Sequence, residues 1–483
     1  MLFNSFAFGL FFVIVFAIYW ISPQKYRYLW LLVTSLYFYI SFNPVYIVLL
    51  FTTMLVTYFC AIYMEKTEDR IKRKRYLLLA LLICLGILFV FKYYNFASNS
   101  ICNVISLFGI ELAPTTIKWA LPIGISFYTF QTLGYLIDVY KGNIRAEKHF
   151  AYYALFVSYF PQIASGPIGR ANSLLPQLKS EIVFDYDKAV KGVLLIIWGF
   201  YKKLVVADTL SVYVDKVFNN PDAYAGGASL IAAVFYSIQI YCDFSGYSDI
   251  AIGVSKLLGI DLMENFRSPY FSSSIKEFWS RWHISLSTWF RDYVYIPLGG
   301  NRCSKVRRDI NLMITFMVSG LWHGANWTFI LWGGLHGLGQ IIENHIPSLH
   351  TKKYGFLAFF VKWLKIVLVF SFATVCWVFF RADSIADGFS VISNIFVSAG
   401  SLGEYVTNGM GNIGIPGNIR LLYILMILFV LVVTDAVNYN GKFVEKVLSL
   451  PRIPRWLVIV SFAAFTIIFA QKGVAAKFVY LQF

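Results

Sequence analysis

Two histidines, His283 and His323, lie forty positions apart in a chain with few ionisable groups. His323 stands in Gly320-Leu321-Trp322-His323-Gly324, and His283 follows Arg281-Trp282. Imidazole titrates near neutrality, so one side chain can take up a proton and return it within a single catalytic cycle. His323 interrupts an apolar run over 312–335, which as one helix would be about 36 Å long and would cross a bilayer with the histidine near its middle. An ionisable group at that depth costs free energy and marks a functional site by default. Gly320 and Gly324 would let a second backbone or a substrate approach closely, and Trp322 and Trp327 would supply flat apolar walls. A histidine hydrogen-bonded across two helices would show the same pattern, so residue types alone leave both readings open.

The other candidates are weaker. Taken alone, His283 beside Arg281 reads as an interfacial histidine on a polar-aromatic segment. His336, 13 residues past His323, would sit roughly 20 Å away on a straight helix, near a membrane face. His149, His345 and His350 fall in loops or at span edges, and no chemistry is assigned to them. Ser285, Ser287 and Ser319 offer hydroxyls of the kind that commonly pack helices. The six cysteines are scattered without close pairs, so neither a disulfide framework nor a zinc spacing is visible, and no metal is expected.

The elements that position these residues must be membrane helices. Of 483 residues 58% are hydrophobic and 14% charged, against roughly 25% charged in soluble chains. The chain is therefore an all-α polytopic integral membrane protein, with room for about ten to twelve spans. Aromatics, at 19%, suit the interfacial belts. A net charge of +16 would suggest nucleic acid as a partner of a soluble protein. Here the basic residues gather in short loops between apolar runs, which is the positive-inside pattern and points to the lipid bilayer instead.

Residues 2–20 lack a basic leader and a cleavage site, so they read as a retained first span that starts outside. Spans over 28–41 and 45–64 follow, and the basic loop 66–75 reads as cytoplasmic. Runs over 76–91, 119–136, 150–163, 190–206, 229–241 and 250–260 come next. Several are short or carry charges, notably Asp138, Lys202, Lys203, Asp243 and Asp249, and so are expected to be re-entrant or buried among other helices. Residues 261–300 hold no continuous apolar span and read as amphipathic interfacial helices. After 312–335 come runs over 356–380, 421–433 and 456–470. Three runs between the basic 302–308 and 442–455 loops is an odd number, so one of them is expected to be re-entrant or miscounted. No repeat or soluble insert interrupts the chain, and 1–483 reads as one membrane domain with a motif core over 278–337.

Arg281-Trp282-His283-Ile284-Ser285-Leu286-Ser287-Thr288-Trp289-Phe290-Arg291-Asp292-Tyr293, followed by Tyr295-Ile296-Pro297-Leu298-Gly299-Gly300-Asn301-Arg302, resembles the membrane-bound O-acyltransferase (MBOAT) family. Within it, the resemblance is to the branch that O-acetylates alginate and peptidoglycan. Phe160-Pro161-Gln162-Ile163-Ala164-Ser165-Gly166-Pro167, Tyr241-Cys242-Asp243-Phe244-Ser245-Gly246-Tyr247 and Trp377-Val378-Phe379-Phe380-Arg381-Ala382 extend it over most of the chain in the family's order. The resemblance implies many helices around a central tunnel, where a cytoplasmic thioester donor meets an extracellular acceptor. It implies that His323 is the catalytic histidine. His283 then takes a second motif position, where eukaryotic lipid-acylating relatives usually carry Asn or Asp.

In that scheme His323 takes the proton of the attacking hydroxyl and later returns one to the leaving thiolate. His283 orients a substrate or donates to the oxyanion, and Trp282, Trp322 and Gly324 contact substrate. Tyr480, in Lys477-Phe478-Val479-Tyr480-Leu481-Gln482-Phe483, resembles a carboxyl-terminal tyrosine motif that carries the acyl group as a phenolic ester; the alternative is an interfacial belt tyrosine. No bound cofactor is implied, and the donor is expected to be acetyl-CoA or an acyl-carrier thioester. A separate extracytoplasmic SGNH-type acyltransferase is expected as partner. The resulting expectation is a multi-pass enzyme of the bacterial inner or plasma membrane that passes acetyl outward for O-acetylation of a cell-surface or secreted polysaccharide. The rivals are a D-alanyltransferase fed by a carrier-protein thioester and a non-catalytic transporter.

Overall fold

The computed structural model describes residues 1–346, 355–397, 400–415, 417–439 and 443–471, and every regular element among them is helical. The tyrosine motif 477–483, with Tyr480, lies outside the described residues, as does His350. Among the described residues six helices are long and apolar enough to cross a membrane by length and composition: Pro44–Lys66, Arg70–Ser106, Gly227–Leu257, Ala358–Arg381, Gly417–Asn438 and Arg452–Phe469. The chain is a multi-pass membrane protein.

The helices group into two compact units, Met1–Val193 with Ala251–Met263, and Leu194–Ile250 with Glu264–Phe483. In the first, Phe6–Ile21 and Gln24–Ile40 share a buried cluster of Phe8, Phe11 and Phe38 with Phe160, whose backbone N–H donates to Ser35 at 3.1 Å. Asp69 caps the Arg70–Leu88 helix by accepting from the N–H of Ile71, which starts that helix within its basic loop.

The second unit carries the histidines, and two sequence expectations fail in it. The runs over 229–241 and 250–260 are not separate spans; Gly227–Leu257 is one continuous 31-residue helix. The charged residues that looked like a break, Asp243 and Asp249, are accommodated because each meets a lysine of the second unit. Conversely, 312–335 is not a single span. Lys305–His323 stops at His323, Gly324 adopts an extended conformation, and Asn326 caps a second helix, Trp327–His345, by accepting from the N–H of Thr328.

The two helices return antiparallel, at close range. A Cβ on Gly320 would lie 2.2 Å from the carbonyl oxygen of Phe329, and one on Gly333 would lie 2.3 Å from that of Phe316. His323 therefore sits at the tip of a hairpin and not at the middle of a span. Each arm, 19 residues, is about 28 Å long. Neither arm is among the helices that qualify as spans by length and composition. The expected interfacial stretch holds short helical pieces: a 3-10 turn Pro269–Phe271, the seven-residue helix Ile275–Arg281, and Ile284–Phe290 continued by the π-helical Arg291–Tyr295; even the last, about 18 Å long, is too short to cross.

Candidate active site

The Ile275–Arg281 helix starts where two side chains meet its first N–H groups. Ser274 accepts from Glu277 at 2.9 Å, and the Glu343 carboxylate, from the returning arm of the hairpin, accepts from Ile275 and Lys276 at 2.9 and 3.0 Å. An anion at a helix N-terminus answers both its unpaired donors and its dipole. The helix ends at Trp282, and His283 takes the left-handed conformation with φ 43° and ψ 54°. For a non-glycine residue that costs about 1–2 kcal/mol and persists only where its surroundings hold it.

Asn265 holds it. Its carbonyl accepts from the N–H of Ile284 at 2.9 Å, and its Oδ1 accepts from Ser285 N–H at 3.2 Å and Ser285 Oγ at 2.9 Å. Asn265 Nδ2 donates to Ser248 Oγ at 3.1 Å, which fixes the amide so that Oδ1 faces His283 Nδ1, 3.1 Å away. Against an acceptor, Nδ1 must carry the ring proton, and Nε2 then carries the lone pair. Burial pushes the His283 imidazole down to about 3, so it is neutral throughout the physiological range.

His323, 3% exposed, faces an aromatic enclosure. Its ring centroid lies 5.0 Å from those of Trp322 and Trp332, 5.3 Å from Phe380 and 6.4 Å from His283. Trp282 is fully buried and packs on Trp377 at 4.8 Å and Phe266 at 5.0 Å. The structure thus brings His283, His323, Trp282 and Trp322 into one neighbourhood. Gly324 is explained differently from the expectation: a Cβ there would lie 2.1 Å from the Phe329 ring, so the glycine admits a neighbouring side chain. Trp327, expected as a wall, is 53% exposed.

The straight helix that would have put His336 roughly 20 Å from His323 is broken at Gly324. Because the chain turns back after His323, His336 is fully buried, with its ring 5.1 Å from Trp332, the tryptophan that also packs on His323. Trp279 Nε1 donates to His336 Nδ1 at 3.3 Å. Sequence reasoning set His336 aside, quoted Trp377 without a role of its own, and did not single out Trp332 or Asn265. The four-residue spacing of Trp332 and His336 on one helix face was a usable signal, whereas nothing in the pattern marks Asn265.

Of the charges expected at depth, Asp138 lies half-buried in the first unit, and Lys202, Lys203, Asp243 and Asp249 lie in this second one. Lys203, in the π-helical turn Tyr201–Ala207, pairs with Asp243 at 2.6 Å and Asp208 at 2.8 Å, and Lys202 pairs with Asp249 at 2.5 Å. Among the described residues no group of three or more His, Cys, Asp or Glu side chains could hold a metal ion.

The model of "MBOAT, membrane-bound O-acyltransferase family" matches residues 18–383. "Probable alginate O-acetylase AlgI" of Pseudomonas putida is 41% identical over 387 residues, covering 80% of this chain and 78% of that protein. "Peptidoglycan O-acetyltransferase" of Helicobacter pylori is 35% identical over 393 residues, covering 76% and 73%. "Teichoic acid D-alanyltransferase" of Streptococcus thermophilus is 30% identical over 341 residues, covering 64% and 81%. With the family match taking in His283 and the whole hairpin that carries His323, the chain belongs to the membrane-bound O-acyltransferase family.

Proposed function

We propose that the chain transfers acetyl from a thioester toward the hydroxyls of a cell-surface or secreted polysaccharide, with His323 as the proton-transfer group. The observation that carries this reading is the meeting of His323 and His283, ring centroids 6.4 Å apart, inside an aromatic wall. His323 accepts the proton of the attacking hydroxyl as its oxygen bonds to the thioester carbonyl carbon. The tetrahedral intermediate collapses, the C–S bond breaks, and the imidazolium returns the proton to the departing thiolate. His283, with Nδ1 committed to Asn265, offers Nε2 as an acceptor. It therefore orients a substrate hydroxyl, and of the two roles implied by the resemblance, donation to the oxyanion is disfavoured.

Acetyl is favoured over D-alanyl because the relatives named for O-acetylation are 35–41% identical, against 30–31% for the D-alanyltransferases, which match less of this chain. The proposed donor is acetyl-CoA or an acyl-carrier thioester, the membrane is the bacterial inner or plasma membrane, and an SGNH-type partner completes transfer to sugar. Tyr480 is proposed as the phenol that receives the acetyl before export. Intact-mass measurement after incubation with acetyl-CoA or with charged carrier protein tests the whole scheme. A gain of one acetyl group is expected, lost in His323→Ala and in Tyr480→Phe. A gain that survives Tyr480→Phe removes that tyrosine, and a gain that survives His323→Ala removes the mechanism.

A further inference from the structure

Beside His323 lies a set of polar groups that this mechanism leaves unused. Trp332, His336 and Trp377 are each fully buried. Their ring centroids are 5.1 Å (Trp332 to His336), 5.6 Å (Trp332 to Trp377) and 6.2 Å (His336 to Trp377) apart, and Trp332 is 5.0 Å from His323. Because Trp279 donates to His336 Nδ1, the proton of that neutral ring belongs on Nε2. The cluster therefore presents three N–H groups: Trp332 Nε1, Trp377 Nε1 and His336 Nε2. None has an acceptor among the described residues. The rings packed around them, Phe278, Phe316, Phe372 and Phe380, offer only π faces.

Proteins seldom bury such groups without partners, and three neighbouring orphans in one place call for a shared acceptor. No cation or carboxylate stands among them, so the matching group is a single oxygen. We infer that Trp332, His336 and Trp377 form a donor subsite for the acyl carbonyl oxygen of the substrate held at His323. This rests on the proposed acyl transfer and adds to it the oxyanion side that His283, in its assigned tautomer, does not supply. Fixed N–H groups in a water-poor site stabilise the oxygen most as charge builds on it, so they act on turnover more than on ground-state binding. An internal water would satisfy the same three donors and is the competing source of that oxygen.

The test uses the full-length protein in lipid nanodiscs, with acetyl-CoA as probe, thiol release as the rate and a thermal melt alongside. His323→Ala, Trp332→Phe, Trp377→Phe and His336→Phe are compared. Should the smaller rings disturb folding, 3-benzothienylalanine at position 332 replaces the N–H by sulfur within the same outline. The inference expects kcat to fall about 10- to 100-fold when an N–H is removed, with KM changed much less and Tm held or raised. A lowered Tm with kcat per folded molecule unchanged assigns the oxygen to a water and overturns the inference. Unchanged kcat and Tm mean that the N–H groups rest on ring faces and overturn it equally. If His323→Ala abolishes turnover while these variants keep it, only the donor subsite falls. If His323→Ala keeps turnover, the acyl-transfer reading fails and takes the subsite with it.

Discussion

The second unit buries two polar regions that solve the same problem in opposite ways. Around the π-helical turn Tyr201–Ala207, Lys202 and Lys203 are matched by Asp249, Asp243 and Asp208 at 2.5–2.8 Å, and Lys202 also lies 5.6 Å from the ring centroids of both Trp198 and Tyr241. Around the hairpin tip, the polar groups are imidazoles and indoles with aromatic neighbours, and three N–H groups find no acceptor among the described residues. A charge taken out of water must be matched on the spot, so the lysine–aspartate cluster is closed on itself. A neutral donor can wait for a ligand at modest cost. Burial of a polar residue is thus no mark of function; what distinguishes the two regions is whether the protein itself completes the bonding. The cluster works as scaffold, tying the π turn to the Gly227–Leu257 helix, and that helix also carries Ser248 and Phe244 against the His283 loop.

The comparison fails first if the hairpin tip proves structural. His323→Ala is expected to lower acetyl-CoA turnover by about 10³-fold or more, toward the upper end for loss of a proton-transfer group, and to leave Tm within a few degrees. A melt that collapses with the activity would place His323 with the scaffold. Lys203→Met should do the reverse. It strands the Asp243 and Asp208 carboxylates, and breaking a buried pair costs about 3–5 kcal/mol, so thermal or chemical unfolding shifts strongly while the rate per folded molecule survives. Replacing Lys203 and Asp243 together by apolar residues should recover much of that loss. Failure to recover would mean that the cluster serves chemistry.

His283→Gly sharpens the contrast on a single residue. Glycine adopts the left-handed conformation without strain, so the fold is expected to hold or gain slightly while turnover falls about 10- to 100-fold. Asn265→Ala is expected to match that loss in rate but also to destabilise, because the N–H and hydroxyl of Ser285 lose their acceptor. Equal stability in the two variants would mean that Asn265 does not hold the loop.

Much of this was readable beforehand, for physical reasons that differ from one element to another. Membrane insertion follows from composition, and His283 and His323 announce themselves because imidazoles are rare in apolar sequence. The hairpin was hidden because Gly324-Ala325-Asn326 carries neither charge nor proline, and so does not interrupt hydropathy. Its turn depends on the fit of Gly320 and Gly333 against opposing backbone, which spacing along one strand of text does not display. The Gly227–Leu257 helix was hidden for the opposite reason. Asp243 and Asp249 look like a break until Lys202 and Lys203, forty or more positions away, are seen to neutralise them. Asn265 had no pattern at all, since its role is to hold an unusual backbone conformation.

The smallest expected effect concerns acid. His283 lies outside the spans, and burial lowers its imidazole from 6.5 to about 3, so the folded protein binds that proton less readily than the unfolded chain. Its full contribution to stability is therefore present above pH 6.5 and is lost progressively as pH falls from there toward 3. Glu277 does not share this window. Burial acts to raise its carboxyl, but the N–H of Ser273, the hydroxyls of Tyr439 and Ser273 and the Arg281 guanidinium together bring it below 4.5, so its contribution persists until lower pH. Melts recorded between pH 7.5 and 5 should therefore show Tm declining in the native protein and a flatter profile in His283→Gln. Parallel profiles would mean that the imidazole can take a proton in the folded state, which would return it from a buried acceptor to the company of the solvated histidines.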